Sequence, residues 1–557
     1  MTKLTNLQQR QNEIKSRIAE AAFKQPILNN GLLFQHDIRD NFYYASYLFA
    51  ASQEEAIPFD GDRVQAKIMA EGILLHVLEL QDQNEESVTY GHFPLHLRPT
   101  PHEAPKNTLP VELMGSLMVY FYQRYSDNFS ESLRNLFAIA LLHIYRSNFY
   151  RKPLEHYNHH EAKYTAAKLI FGQLYENTAL LEDGLQSLRS TLNRVTSKGM
   201  SEYGGLPWFW HWMQAFTCAW ELMKDVEIKA ELARLLDYLW EVRSTYYLGG
   251  AWVGPHSRIW PHDMPKDTNV LHDYVQFGDF TLPDHMPRTE YAGFIAYEAS
   301  ADIHRSALQR TAPVEIIRKV PKQAALAVSD NDVLHSYVYI TENFAIGGMW
   351  ERVQEFDNEQ HRWDVALPLD AVQGVNHLYF FHPGQGYAEG DLRHQSEFSE
   401  VLFHQNTLVA SYQIPEGQPE FIMGCLPVGD WVEEPNGLFG LCGHVYMAVY
   451  VQQSFQREVR EDRSVVTSKG RTNSVVVECI DQRTAAETLQ IRDILQFANV
   501  MKQKQPAYTL SSEDDLQITY TNLKDETMVL CSGLLSHRKI IRLVNGEAVD
   551  FSTYTVG

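Results

Sequence analysis

Cysteine is scarce and scattered in this chain of 557 residues. The five (Cys218, Cys425, Cys442, Cys479 and Cys531) are odd in number and form no CxxC pair. That excludes a disulfide framework or a cysteine zinc knuckle and leaves free thiols. No stretch reaches the roughly 20 apolar residues of a membrane span. Residues 1–24 alternate polar and apolar with no apolar core of signal-peptide length, so a soluble, cytoplasmic protein is expected. Positive charge is short as well. Lys and Arg number 48 against 70 Asp and Glu, a formal net charge of −22, which opposes generic binding to nucleic acid or to an anionic membrane. Also missing are a GxGxxG after a strand, a GxxxxGK followed by Ser or Thr, an HExxH and a GxSxG. The familiar dinucleotide, P-loop, metalloprotease and α/β-hydrolase solutions therefore have no support.

What is present is ample core material, 44% hydrophobic and 12% aromatic residues, which rules out global disorder. Apolar residues recur at three- and four-residue spacing over Asn41–Ser52, Val64–Leu80, Pro110–Arg124, Ser130–Arg146, His160–Tyr175, Leu180–Val195, Phe209–Met223 and Val226–Tyr247, which predicts eight helices in series. After about Ala312 the texture changes to short runs rich in Val, Ile, Tyr and Phe between Gly, Pro, Asn and Asp. These include Leu334–Ile340, His377–His382, Leu402–Tyr412, His444–Val451, Ser474–Cys479, Leu516–Tyr520, Met528–Cys531 and Lys539–Val544, and they predict an antiparallel β-sandwich interrupted by one helix near Thr484–Lys502. The expected division is a helical domain over residues 1–310 and a sheet domain over 311–557, with Pro313 and Pro321 marking the linker.

Three segments look chemical. The first, His156-Tyr157-Asn158-His159-His160-Glu161, enters a helix. Asn158 is placed either to cap it or to present a neutral amide beside an imidazole, which would hold a carboxylate. His159 and His160, being adjacent, are not expected to share one side of the helix, which argues against a metal pair. The second runs from Gly199-Met200-Ser201-Glu202-Tyr203-Gly204-Gly205 into Leu206-Pro207-Trp208-Phe209-Trp210-His211-Trp212. Its rings fit helix packing or, with Trp252 and Trp260, the stacking of sugar faces. The crowding at 208, 210 and 212 points to a short walled cleft and exo action. Tyr203 is a candidate proton carrier if cations lower its phenol pKa. The third, Gly254-Pro255-His256-Ser257-Arg258, puts His256 and Arg258 on one side of an extended stretch. There they form either a surface loop paired to an acid such as Asp263 or an imidazole beside a carboxylate-gripping fork.

Together with Tyr90-Gly91-His92-Phe93 and Asn107, these stretches resemble, in order and spacing over residues 40–265, the heparinase II/III-like group of polysaccharide lyases and their alginate- and chondroitin-type relatives. The resemblance implies an N-terminal (α/α) toroid of helical hairpins followed by the β-sandwich, and β-elimination on a uronate glycan. Asn158 and Arg258 would neutralise the carboxylate, and His256, His159 and Tyr203 would be candidate acid and base. Trp208, Trp210, His211, Trp212, Trp252, Trp260, Asn107 and His160 would bind substrate. Where the group carries a Ser-Pro-x-Tyr-Tyr-like run this chain has Leu206-Pro207-Trp208-Phe209, and Ile259-Trp260 stands where a Tyr is often found.

Such chemistry requires no metal or cofactor. A structural metal in the sandwich occurs in some relatives, and His377, His382, His404 and His444 are its possible ligands, without diagnostic spacing. The expected partner is an acidic oligosaccharide, with His256, Arg258 and Lys266 supplying a locally positive cleft against the overall charge. The chain would act as a monomer or homo-oligomer, without nucleic acid or membrane. The alternatives are a toroid glycoside hydrolase, for which Glu202, Asp263, Asp273 and Glu290 are available, and a non-catalytic carbohydrate binder.

Overall fold

The computed structural model describes residues 5–257, 266–286, 289, 291–321, 333–352, 362–383, 398–510, 515–533 and 540–556. Eleven helices come first among these: α1 (Asn6–Lys24), α2 (Ile38–Gln53), α3 (Arg63–Glu79), α4 (Leu109–Tyr125), α5 (Glu131–Arg146), α6 (His159–Leu174), α7 (Thr178–Lys198), α8 (Leu206–Leu222), α9 (Val226–Thr245), and the short α10 (Leu271–Gln276) and α11 (Ala301–Leu308). Their starts are written in the sequence. Thr5, Asp37, Asp62, Ser130, Asn158, Asn177, Asp225 and Ser300 each accept a backbone N–H from the first turn, whereas α4 and α8 begin with Leu-Pro.

The helices form two layers. In α7 the buried residues (Leu180, Gly184, Ser187, Leu188, Thr191, Leu192 and Val195) make one stripe, the mark of a helix with one face in water. In α8 burial runs unbroken from Leu206 to Ala219, the mark of an inner helix. Likewise α2, α4 and α6 are buried over most of their length. These inner helices pack on one another and carry the outer α3, α5, α7 and α9 as hairpin partners, giving the (α/α) toroid. No described helix is long and apolar enough to cross a membrane.

Sheet structure begins with Val314–Pro321. A nine-stranded sheet runs, edge to edge, through Phe455–Val459, Ser464–Lys469, Phe421–Leu426, His377–Phe381, Trp363–Ala366, Ala345–Met349, Val333–Ile340, Val314–Pro321 and Thr555–Val556. A six-stranded sheet packs against it across a core that includes Trp363, Val365, Leu378, Leu408, Val449 and Val476. All pairings are antiparallel except the last two strands of the larger sheet. A five-stranded sheet, Ala507 to Ala548, completes the C-terminal part.

Three elements differ from the sequence expectation. Residues Asn6–Lys24, not among the eight predicted helices, form α1. The single helix expected over Thr484–Lys502 is two, α12 (Gln482–Leu489) and α13 (Ile494–Met501), because Gln490 adopts a left-handed conformation with φ 59°. The run Leu402–Tyr412 is a hairpin, Ser399–His404 with Thr407–Gln413, turned at Gln405, where φ is 45°.

Candidate active site

The loop between α7 and α8 ties the candidate residues together. Gly199 ends α7 at φ 81°, and Gly204 has φ 65° with its missing Cβ facing the Pro255 carbonyl, so the chain turns where no other residue fits. Between them Glu202, almost fully buried, accepts from the His159 backbone N–H (2.7 Å), His159 Nδ1 (2.5 Å) and Trp212 Nε1 (2.9 Å). Two residues on, the Gly204 carbonyl accepts from His256 Nδ1 at 2.6 Å, and the Tyr203 carbonyl accepts from the Ser257 N–H at 2.8 Å. Tyr203, between these anchors, is half-buried and lines a small cavity with Met200, Phe209, Tyr246, Trp252 and Pro255.

Asn158 caps α6. Its Oδ1 accepts from the His160 and Glu161 N–H groups at 3.1 and 3.2 Å, and this leaves its Nδ2 as a donor. His159 and His160 follow, and contrary to the expectation from their adjacency their rings lie 4.0 Å apart, centroid to centroid. At the first helical turn two successive side chains can lean together because each is drawn by its own acid. His159 goes to Glu202, and His160 Nδ1 goes to Glu112 on α4 at 2.7 Å. Burial pushes His159 down to about 4 despite Glu202 beside it, so its imidazole is neutral near pH 7. The rings of Trp208 and His211 lie 4.9 and 5.6 Å from that of His159.

His256 is buried, with Nδ1 donating to Gly204 and Nε2 3.3 Å from Asp364 Oδ2. Asp364 in turn accepts from His377 Nδ1, and Asp267 accepts from His377 Nε2, both at 2.7 Å. Burial opposes the charge on His377, but the two carboxylates outweigh it and raise the group to about 10. So placed, His256 joins the loop to the sheet through Gly204 and Asp364. His256, Asp364 and His377 are also the described residues whose ligand atoms, all within 4.8 Å, could hold a metal ion. Each histidine would then keep its other N–H on a backbone carbonyl or carboxylate, the usual outer support of a metal ligand. Of the other sandwich histidines, His382 donates to the Pro419 carbonyl, His404 pairs with Glu526 and His444 is exposed.

The expected sugar platform is largely core. Trp210 donates to the Asn269 carbonyl and packs on Phe209 and Trp240. Trp212 serves Glu202, and Trp252 stacks on Tyr246 at 5.7 Å. All three are buried, Trp210 and Trp212 because α8 is enclosed on every side and Trp252 because it packs against Phe209 and Tyr246, so they do not wall an open cleft. Asn107, just before the N-cap of α4, accepts the Leu109 N–H through its Oδ1. In the Tyr90–Phe93 stretch, Tyr90 meets His143 and His92 is buried against Phe149. Arg258 and Trp260 lie outside the described residues, as do Asp263 and Glu290. The two remaining acids are committed, Glu202 as above and Asp273 to the buried guanidinium of Arg243 at 2.7 Å. Glu112, Asp364 and Asp267 had no sequence signal, since their partners lie 13 to 110 residues away and share no motif with them.

No family model matches the chain, and no curated protein matches it. Solved structures are similar to it in fold. Heparinase III is 11% identical at a TM-score of 0.41, over 89% of this chain and 82% of that one. The chondroitin AC lyase of Streptomyces coelicolor A3, in complex with chondroitin sulphate, is 9% identical at 0.45, over 94% and 84%.

Proposed function

We propose that this chain is a polysaccharide lyase that cleaves a uronate-containing oligosaccharide by β-elimination at the junction of α6, the 199–205 loop and the 254–257 loop. The observation that carries this reading is that one short loop ties the amide and the two imidazoles at the start of α6 to the loop bearing His256, with Tyr203 between its two anchors. The reaction needs a group to neutralise the uronate carboxylate, a base for the proton on the neighbouring carbon and an acid for the departing glycosidic oxygen. Asn158 Nδ2, at the positive end of α6, is the donor for the carboxylate, and the motif resemblance adds the Arg258 guanidinium. His159 cannot share that task, since its one N–H is spent on Glu202 and it stays uncharged. The base is then an imidazole of the His159–His160 pair, and Tyr203 is the acid. The motif resemblance supports Asn158 and Arg258 as the neutralising groups and Tyr203 as a proton carrier. Hydrolysis is disfavoured because Glu202 and Asp273 are both held by buried donors.

The test is near-ultraviolet absorbance of unsaturated uronate on a panel of uronic-acid oligosaccharides, wild type beside Tyr203→Phe. A rise that falls about 100-fold or more in the variant supports the reading. New reducing ends without absorbance would replace it with hydrolysis, and binding without either signal with a carbohydrate-binding role.

A further inference from the structure

Two imidazoles stand side by side at the start of α6, and their surroundings differ. His159 is sealed, its side chain 2% exposed, whereas that of His160 is 32% exposed. The buried acid that holds His160 is also unlike an ordinary surface partner. Glu112 sits on the inner helix α4 with its side chain 4% exposed. Its Oε2 is 2.7 Å from both His160 Nδ1 and the Lys163 ammonium, and its Oε1 accepts from the Tyr164 hydroxyl at 2.8 Å. Burial alone would raise this carboxyl, but Lys163 and His160 hold it well below the ordinary carboxylate range. An ionised Glu112 can only accept, so the proton of a neutral His160 is on Nδ1. The lone pair is then on Nε2, which has no hydrogen-bond partner among the described residues.

We propose that His160 Nε2 is the proton acceptor of this site and that Glu112 is the positioning residue that fixes its tautomer; this rests on the elimination reading above. Nε2 takes the proton from the carbon bearing the uronate carboxylate. The freed electron pair forms the carbon–carbon double bond, the bond to the glycosidic oxygen breaks, and that oxygen takes a proton from Tyr203. The imidazolium then gives its proton to water and the Tyr203 phenolate takes one from water, which restores both groups. Lys163 is what keeps Glu112 charged when His160 carries two protons and the pair momentarily becomes an ion pair. The arrangement is the carboxylate–imidazole device that orients a base, assembled across two inner helices.

Histidine tautomers are read from ring-nitrogen chemical shifts of the folded full chain at alkaline pH, with His160→Gln identifying the resonance. Nδ1–H at His160 is expected, and Nε2–H would overturn the proposal. In kinetics, His160→Gln is expected to lose about 10² to 10⁴ in kcat with KM within a few-fold. Glu112→Gln is expected to lose about tenfold in kcat and to show a mixed tautomer, because an amide can turn either its oxygen or its NH₂ toward the ring. Since that change strands the buried Lys163, Glu112→Gln/Lys163→Met is measured beside it and should show the same two effects. A fully active His160→Gln overturns this proposal and leaves the elimination reading standing. Absence of unsaturated product from the wild type on every substrate overturns the elimination reading itself, and with it the role of Nε2.

Discussion

Glu202 divides its two oxygens among at least three donors, two of them from His159 and one from Trp212. A carboxylate can do this because every lone pair accepts; a glutamine cannot, because its NH₂ would face one of the same N–H groups. Glu202→Gln is therefore expected to destabilise the fold by about 1–3 kcal/mol, the cost of leaving a buried donor unmatched. Denaturant unfolding measures this, and an unchanged midpoint would mean that the carboxylate is not what holds α6 to α8. From the sequence Glu202 read as a possible hydrolytic acid. The residue type was informative, but its role depended on which donors the fold turned toward it, and those are 10 and 43 residues away. Glu112 was less legible still, standing in an apolar helix with its partners at 160, 163 and 164.

At the scale of elements, the start of α6 has two duties that one substitution separates. Asp caps a helix as well as Asn does, and its charge suits the positive end. Asn158→Asp is expected to keep or raise the melting temperature while placing a negative charge where the substrate carboxylate would sit, lowering turnover by about 10² or more. Equal losses of stability and turnover would instead assign Asn158 to capping alone. Periodicity was enough to read the helices α2 to α9, since each has a continuous apolar stripe or an apolar surround. It failed for α1 because Asn12 and Lys15 interrupt the buried stripe of Ile14, Ile18, Ala19 and Ala22. Lys15 is tolerated there by Glu54 on the loop after α2, at 3.3 Å. The Gln405 and Gln490 turns were missed for a related reason: left-handed backbone at a non-glycine residue carries no compositional mark.

For the whole molecule, burial of titratable groups sets a pH window. His92 and His159 are lowered to about 4 and His272 to about 3, in each case chiefly by burial. Folded values below the unfolded one mean stability that is complete above about pH 6.5 and is lost as pH falls toward 4 and below. His377 has the opposite sign. Raised to about 10 by Asp267 and Asp364 against the effect of burial, it contributes stability that is complete below about pH 6.5 and is lost as pH rises through 10. Melting temperatures should therefore be highest near neutrality, and His377→Gln should flatten the alkaline limb relative to wild type while leaving the acid limb in place. Parallel limbs for the two proteins between pH 7 and 10 would remove His377 as its source. The pair of groups matters beyond pH, because Asp267 precedes α10 in the helical part while Asp364 and His377 lie on neighbouring strands of the nine-stranded sheet.

Only Tyr203 separates Glu202, which grips α6 and α8, from Gly204, which grips His256. There is no spare length on either side of the phenol. A graft or recombination that joined a toroid of this kind to a foreign sandwich could lengthen the chain between α11 and Val314 at little entropic cost. A single residue gained or lost at position 203 would take both grips out of step at once.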